Sequence, residues 1–315
     1  MRIVVLDGHT LNPGDLSWDF LSKYGQLSVY DRTLTEAQTI ERIGNAEIIL
    51  SNKTVISESV LAACPSVKLI CMLSTGYNVV DCQAAAKRNI PVCNVPGYGT
   101  YAVAQHTIAL LLEVCNQVGI HNQSVHEGDW TSCPDYCYRK TDQMELDGLT
   151  LGIIGYGAIG QAVAKIAAAM GMKIIAHSRS MHNNVCNVTL DELLEQSDVI
   201  SLHCPLFPET YHIINSEAIS KMKDRAILIN TSRGPLVDES ALADALNRGK
   251  LYAAAVDVVE TEPIPASSPL LSAPNCIITP HIAWYPITAR KRILGATERT
   301  IQAFLANKPL HSVNL

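Results

Sequence analysis

Thr150-Leu151-Gly152-Ile153-Ile154-Gly155-Tyr156-Gly157-Ala158-Ile159-Gly160-Gln161-Ala162-Val163-Ala164 decides how this chain is read. A short apolar run of the kind a strand buries passes through three glycines spaced G-x-G-x-x-G into an alanine-rich stretch of helical character. This is the setting that a dinucleotide-binding fingerprint requires. Gly155 permits the tight turn, Gly157 lets backbone approach a pyrophosphate, and Gly160 lets the helix pack closely on the strand. The helix start, with Ala158 and Ile159, then faces the phosphates. The spacing alone is weak evidence, because a glycine-rich turn can bind nothing. The strand before it and the helix after it favour a site for NAD or NADP.

Outward from this point the same alternation continues. Strand-like runs follow at Lys173 to Ala176, Val199 to Leu202, Ala226 to Asn230 and Ala253 to Val256, with helices between them, one beginning near Asp238. This predicts a doubly wound sheet. Upstream, Ile3 to Leu6, Glu47 to Leu50, Lys68 to Leu73 and Ile90 to Asn94 predict a second parallel sheet. Between the two sets, Pro96-Gly97-Tyr98-Gly99 breaks the pattern, and Ala104, Ile108, Leu111, Leu112 and Cys115 then recur at helical spacing. A domain boundary is expected there. The fold class is α/β, and 315 residues suit two domains better than one core.

Composition narrows the function. With 48% hydrophobic and 17% charged residues the chain is an ordinary globule, and its net charge of −6 argues against a nucleic-acid footprint. Met1 to Leu6 is too brief for a signal peptide and Ile108 to Leu112 too short to span a bilayer, so a cytoplasmic chain is expected. The ten cysteines, among them Cys71, Cys93, Cys115 and Cys276, sit in apolar patterns without CxxC spacing and are read mostly as small buried hydrophobes. Cys133 and Cys137 with His121 and His126 lack the spacing of zinc modules, so no metal is expected.

After the second strand of the glycine-turn unit, where an NAD site usually carries Asp or Glu for the ribose hydroxyls, the chain reads Ala176-His177-Ser178-Arg179-Ser180. An acid would repel a 2′-phosphate; Ser178 and Arg179 can bond and pair with one. A solvated Arg in an NAD-using protein is the other reading. Further on, Arg233 in Asn230-Thr231-Ser232-Arg233-Gly234-Pro235, Glu262 after Asp257-Val258-Val259, and His281 in Thr279-Pro280-His281-Ile282-Ala283-Trp284 stand beyond apolar strands. A guanidinium grips a carboxylate, an imidazole titrates near neutrality, and an adjacent carboxylate favours the imidazolium. Taken singly, each also reads as a surface Arg, a solvated Glu or a core His.

The ordered set of GYGAIG, Leu202-His203-Cys204-Pro205-Leu206, NTSRGPLVDE, DVVETEP and TPHIAW resembles the D-isomer-specific 2-hydroxyacid dehydrogenase family across essentially the whole chain. Pro96-Gly97-Tyr98-Gly99-Thr100 before Ala102-Val103-Ala104-Gln105-His106, and Ile282-Ala283-Trp284 after His281, look most like its glycerate dehydrogenase or hydroxypyruvate reductase branch. The resemblance implies a Rossmann cofactor domain, residues 99–286, inserted into a flavodoxin-like substrate domain, residues 1–98 and 287–315. It implies a cleft that closes on ligand and a homodimer through the cofactor domain, with the helix near Tyr101 to Asn116 contributing.

By the same resemblance Arg233 binds the substrate carboxylate, His281 is the acid/base and Glu262 its partner. Asp257 bonds the nicotinamide carboxamide, amides of Ser74, Thr75 and Gly76 complete the carboxylate site, and His203, Pro205, Thr231 and Ser232 line the cofactor. The implied reaction moves a hydride between NAD(P)H and a small 2-oxo or D-2-hydroxy acid, with hydroxypyruvate or glyoxylate as the expected substrate. D-lactate dehydrogenase is the nearest alternative, and an NAD(H)-sensing interaction protein without catalysis a distant one. Ser178, where many relatives carry Asp, favours NADPH use.

Overall fold

The apolar runs become strands of two parallel sheets in a computed structural model that describes residues 1–315. In chain order the elements begin with β1 (Arg2–Val5), β2 (Gln26–Val29), α1 (Glu36–Ile43), β3 (Ile48–Ser51), α2 (Glu58–Ala63), β4 (Leu69–Met72), α3 (Cys82–Lys87) and β5 (Val92–Cys93). There follow α4 (Thr100–Asn116), α5 (Val118–His126), β6 (Thr150–Ile154), α6 (Ala158–Ala169), β7 (Lys173–His177), β8 (Cys186–Asn187) and α7 (Leu190–Gln196). The chain continues through β9 (Val199–Leu202), α8 (Ser216–Lys221), β10 (Ala226–Asn230), α9 (Glu239–Asn247), β11 (Leu251–Val256), β12 (Cys276–Ile278) and α10 (Ile287–Leu305). Two compact units form: Met1–Tyr98 with Tyr285–Leu315, and Gly99–Trp284.

In the first unit the strand order is β2-β1-β3-β4-β5, parallel throughout. β3 and β4 are buried along their whole length, which is why they read as unbroken apolar runs instead of alternating ones. β2 escaped the sequence reading because it is an edge strand, mostly exposed, and carries no apolar run. α10 is fastened into this unit by Arg290, only 4% exposed, whose guanidinium grips Asp15 at 2.6 and 2.7 Å and donates to the Leu11 carbonyl.

In the second unit the order is β12-β11-β10-β9-β6-β7-β8, again parallel. Succession runs from β6 to β7 and β8 on one side and from β9 to β12 on the other, so the order reverses between β6 and β9. In an open α/β sheet that switch point is where ligands bind, beyond the carboxyl ends of the strands. Both faces are packed. Leu193, Leu202, Leu228 and Leu242 belong to one cluster, and Leu111, Ile153, Val163 and Ile229 to another. Each such aliphatic side chain contributes about 1.5 to 3 kcal/mol on burial, against the entropy of ordering it. α9 begins after Asp238, whose carboxylate accepts the Ala241 amide at 3.0 Å as an N-cap. No helix is long and apolar enough to cross a membrane. All ten cysteines are free thiols, and Cys71, Cys93 and Cys115 lie in the core.

Candidate active site

Strand register gathers the motifs of the second unit. Ile154, Leu202, Asn230, Val256 and Ile278 stand side by side across five strands. Everything just beyond them emerges along one edge of the sheet: the glycine turn, His203 to Pro205, Thr231 to Arg233, Asp257 to Glu262, and Thr279 to His281. Ser178 and Arg179 follow β7, whose His177 pairs with Ile154.

The three glycines divide their work. At Gly155, with φ +98°, a Cβ would lie 2.4 Å from the Cys204 nitrogen; at Gly160 it would lie 2.4 Å from the Gly155 carbonyl oxygen. Both are demanded by the fold. A Cβ at Gly157 meets nothing within 4 Å. Nothing in the protein asks for glycine there, so the space suits an external group. Gly157 caps α6 without any side-chain bond, which leaves amides of the first turn, Ala158, Ile159 and Gly160, for an outside acceptor. These residues fit a dinucleotide pyrophosphate.

Beyond β7, Ser178 Oγ donates to the Ser180 carbonyl at 2.5 Å, closing the turn on itself. Arg179 is exposed, makes no ion pair, and lies with its guanidinium carbon 5.1 Å from the centroid of the Phe207 ring. Next to the glycine turn, burial pushes His203 down to about 4, so the ring is neutral at physiological pH, and its Nε2 shares a 2.9 Å bond with Ser201 Oγ. Pro205 gives its carbonyl to Thr210 Oγ1.

Asn230, buried at the end of β10, shapes the next turn: its Nδ2 donates to the Arg233 carbonyl and its Oδ1 accepts the Ser232 amide. Ser232 Oγ donates to the Cys204 carbonyl at 2.6 Å, and the Thr231 hydroxyl bonds that of Thr107 on α4 at 2.9 Å. Arg233 is exposed and makes no ion pair; Nη1 donates to the Ser232 carbonyl and the rest of the fork points to no carboxylate.

His281 sits at φ +56°. Its amide donates to the carbonyls of Asp257 and Thr279, and its Nδ1 bonds Glu262 Oε2 at 2.7 Å. The carboxylate fixes Nδ1 as the donor toward Glu262 and leaves Nε2 for another partner.

Asp257 stands just beyond β11. The residue is 1% exposed, and its oxygens accept the Thr279 hydroxyl at 2.6 Å and the amides of Ile282 and Ala283 at 2.9 and 2.8 Å. His106 Nε2 on α4 lies 3.4 Å away and also meets the Thr279 hydroxyl at 3.1 Å. Burial alone would raise the acid's pKa. The bonds from His106 and Thr279 and the amides of Ala283 and Ile282 outweigh it and hold the carboxyl below its usual value. Asp257 thus braces the loop that carries His281. His106 is a neighbour that residue-by-residue reasoning missed, and the only signal for it was its place in the stretch from Ala102 to His106.

In the first unit, Ser74, Thr75 and Gly76 form a turn beyond β4. Ser74 Oγ donates to the Gly76 carbonyl at 2.7 Å, Thr75 Oγ1 to that of Val95 at 2.8 Å, and Asn94 Nδ2 to that of Thr75 at 2.7 Å. Elsewhere in the second unit, His121 Nε2 accepts the Lys140 amide, and no group of three or more His, Cys, Asp or Glu is placed to hold a metal ion.

A doubly wound sheet with this glycine turn beyond its switch-point strand defines a dinucleotide-binding α/β protein. Residues 108–283 match the family model of the D-isomer specific 2-hydroxyacid dehydrogenase, NAD binding domain. Over 100% of both chains the protein is 54% identical to a hydroxypyruvate reductase of Blautia hydrogenotrophica. It is 38% identical to a glycerate dehydrogenase of Methylorubrum extorquens, over 99% of this chain and 98% of that one. Among solved structures, the TT0316 protein from Thermus thermophilus superposes with a TM-score of 0.89 at 37% identity, covering 99% of this chain and 100% of that one. The chain belongs to the D-isomer specific 2-hydroxyacid dehydrogenase family, enzymes acting on CH–OH donors with NAD(P). The family expected from the ordered motifs is the one found, and so is the fold of two parallel-sheet α/β units.

Proposed function

We propose that this protein reduces hydroxypyruvate or glyoxylate with NADPH, oxidising D-glycerate in reverse, with Arg233, Glu262 and His281 as its catalytic residues. The observation that carries the reading is the 2.7 Å bond from His281 Nδ1 to Glu262 Oε2. It orients the ring and leaves Nε2 to hold the proton that the substrate oxygen takes up. Arg233, with no carboxylate of its own, binds the substrate carboxylate as a bidentate fork. A bound nicotinamide would supply the hydride for C2. Hydride and proton together convert the 2-oxo acid to the 2-hydroxy acid, and oxidation returns the proton to His281. The names of the two curated relatives support small 2-oxo acids as substrates.

Gly155, Gly157, Ala158, Ile159 and Gly160 hold the pyrophosphate in this reading, and His203, Pro205, Thr231 and Ser232 line the cofactor. The amides of Ser74, Thr75 and Gly76 serve the substrate carboxylate. Asp257 acts by bracing the His281 loop. Ser178 and Arg179 receive the 2′-phosphate: no acid stands on their turn to repel it, and the Arg179 charge is unpaired. Exposed Tyr101, Val118, Ile120, Val125, Trp130 and Tyr136 form apolar surface on α4, α5 and the stretch after them, which suits a homodimer through the second unit. Free core thiols suit the reducing cytoplasm.

The test is a panel of hydroxypyruvate, glyoxylate, pyruvate and a branched 2-oxo acid, each with NADPH and NADH, for wild type and Ser178→Asp. Higher kcat/KM for hydroxypyruvate or glyoxylate with NADPH, reversed toward NADH by Ser178→Asp, is expected. Preference for a bulky acid overturns the substrate, and a tenfold wild-type preference for NADH overturns the cofactor reading.

A further inference from the structure

We infer that Phe207 is a positioning residue for cofactor choice: its ring holds the Arg179 guanidinium in place for a 2′-phosphate. The inference rests on the NADPH reading of the turn beyond β7. Arg179 is long, exposed and free of any ion pair, so without a restraint it would sample many rotamers and lose most of its attraction to solvent screening. The restraint in the structure is aromatic. The guanidinium carbon stands 5.1 Å from the Phe207 centroid, within the range of a cation–π contact.

The two residues come from strand ends that flank a third. Arg179 follows β7 and Phe207 follows β9, on either side of β6 and its glycine turn. Phe207 is itself held, since its amide donates to Thr210 Oγ1 at 2.7 Å and its carbonyl accepts the amides of Thr210 and Tyr211.

The other candidates on the β7 turn are already engaged. His177 Nδ1 bonds the Val188 carbonyl at 3.2 Å, the Ser178 hydroxyl is turned to Ser180, and the His182 ring packs edge-on against Tyr156 at 5.1 Å. Arg179 is therefore the one permanent charge on this turn, and Phe207 is the group that holds it. An aromatic face restrains a cation without neutralising it, whereas a carboxylate would compete with the phosphate. Such a face beside the ribose site favours the cofactor that carries the extra phosphate.

The experiment measures kcat/KM for NADPH and for NADH at saturating hydroxypyruvate in wild type, Arg179→Ala, Phe207→Leu and Phe207→Tyr. Phe207 is on the surface, so removing its ring leaves the core untouched. Phe207→Leu is expected to lower the NADPH value about two- to fivefold, the worth of an exposed cation–π contact, with NADH unchanged and Phe207→Tyr close to wild type. Equal losses with both cofactors would make Phe207 a general contact and overturn the inference, as would no loss with either. The NADPH reading is judged separately: if Arg179→Ala leaves the NADPH-to-NADH ratio at its wild-type value, that reading fails. If Arg179→Ala collapses the ratio and Phe207→Leu does not, only the role of Phe207 fails.

Discussion

Gly157→Ala adds a methyl where nothing lies within 4 Å, at φ −78° and ψ −163°, backbone angles open to any residue. Folding should therefore be unharmed, or stabilised by about 0.4 to 1 kcal/mol as the unfolded chain loses freedom. A bound pyrophosphate should change the outcome, because in the proposed site the methyl would enter the space left for the phosphates. Overpacking of this kind costs about 1 to 3 kcal/mol, or roughly 5- to 150-fold in Kd. Gly155→Ala is the opposite control. Its methyl would stand 2.4 Å from the Cys204 nitrogen at φ +98°, where strain alone costs about 1 to 3 kcal/mol. Thermal melts and NADPH fluorescence titrations separate the two: Gly157→Ala should melt like wild type and bind poorly, and Gly155→Ala should melt early. Wild-type NADPH affinity in a folded Gly157→Ala protein would refute the reasoning.

Glu262→Gln keeps the bond partner of His281 but removes its charge, and should lower kcat with little change in the KM for NADPH; unchanged kcat would remove Glu262 from the site. Asp257→Asn sets an amide against the donors of Thr279, Ile282 and Ala283, and should cost about 1 to 3 kcal/mol in chemical denaturation; wild-type stability would show that the carboxylate braces nothing. Burial lowers His203 from 6.5 to about 4, so on acidification the unfolded chain takes up this proton first. Stability from this group is thus present above pH 6.5, is lost between 6.5 and 4, and amounts to at most about 3 kcal/mol. Urea melts of wild type and His203→Asn across that window should converge toward pH 4, and parallel curves would deny the shift.

Much of this was legible in the residues because burial leaves a pattern. β6, β9 and β10 are covered on both faces and announce themselves as apolar runs, and a strand passing into a helix through G-x-G-x-x-G admits few meanings. Most edges leave no such trace: β2 is mostly exposed, β8 has two residues, and β12 is half-buried, whereas the buried edge strand β5 was readable from its apolar run. The position of Arg233 beyond a strand was readable, but its lack of an ion partner was not, since that depends on side chains from distant segments. The meeting of His106 with Asp257 and Thr279 is of the same kind: α4 and the β11 and β12 ends lie far apart in the chain and meet only when the sheet is assembled. The burial of Asp257 and its bonds from Thr279, Ile282 and Ala283 were likewise not readable from its place beyond a strand.

The most direct test of hydride transfer assisted by His281 is a single-turnover measurement with enzyme in excess over NADPH, mixed with hydroxypyruvate and followed at the nicotinamide absorbance. Wild type should consume the NADPH and leave D-glycerate. His281→Ala should bind NADPH as wild type does and react about 100 to 10,000 times more slowly, the usual worth of general acid catalysis. Equal rates in the two proteins, or no NADPH consumption by wild type with any 2-oxo acid, would contradict the account.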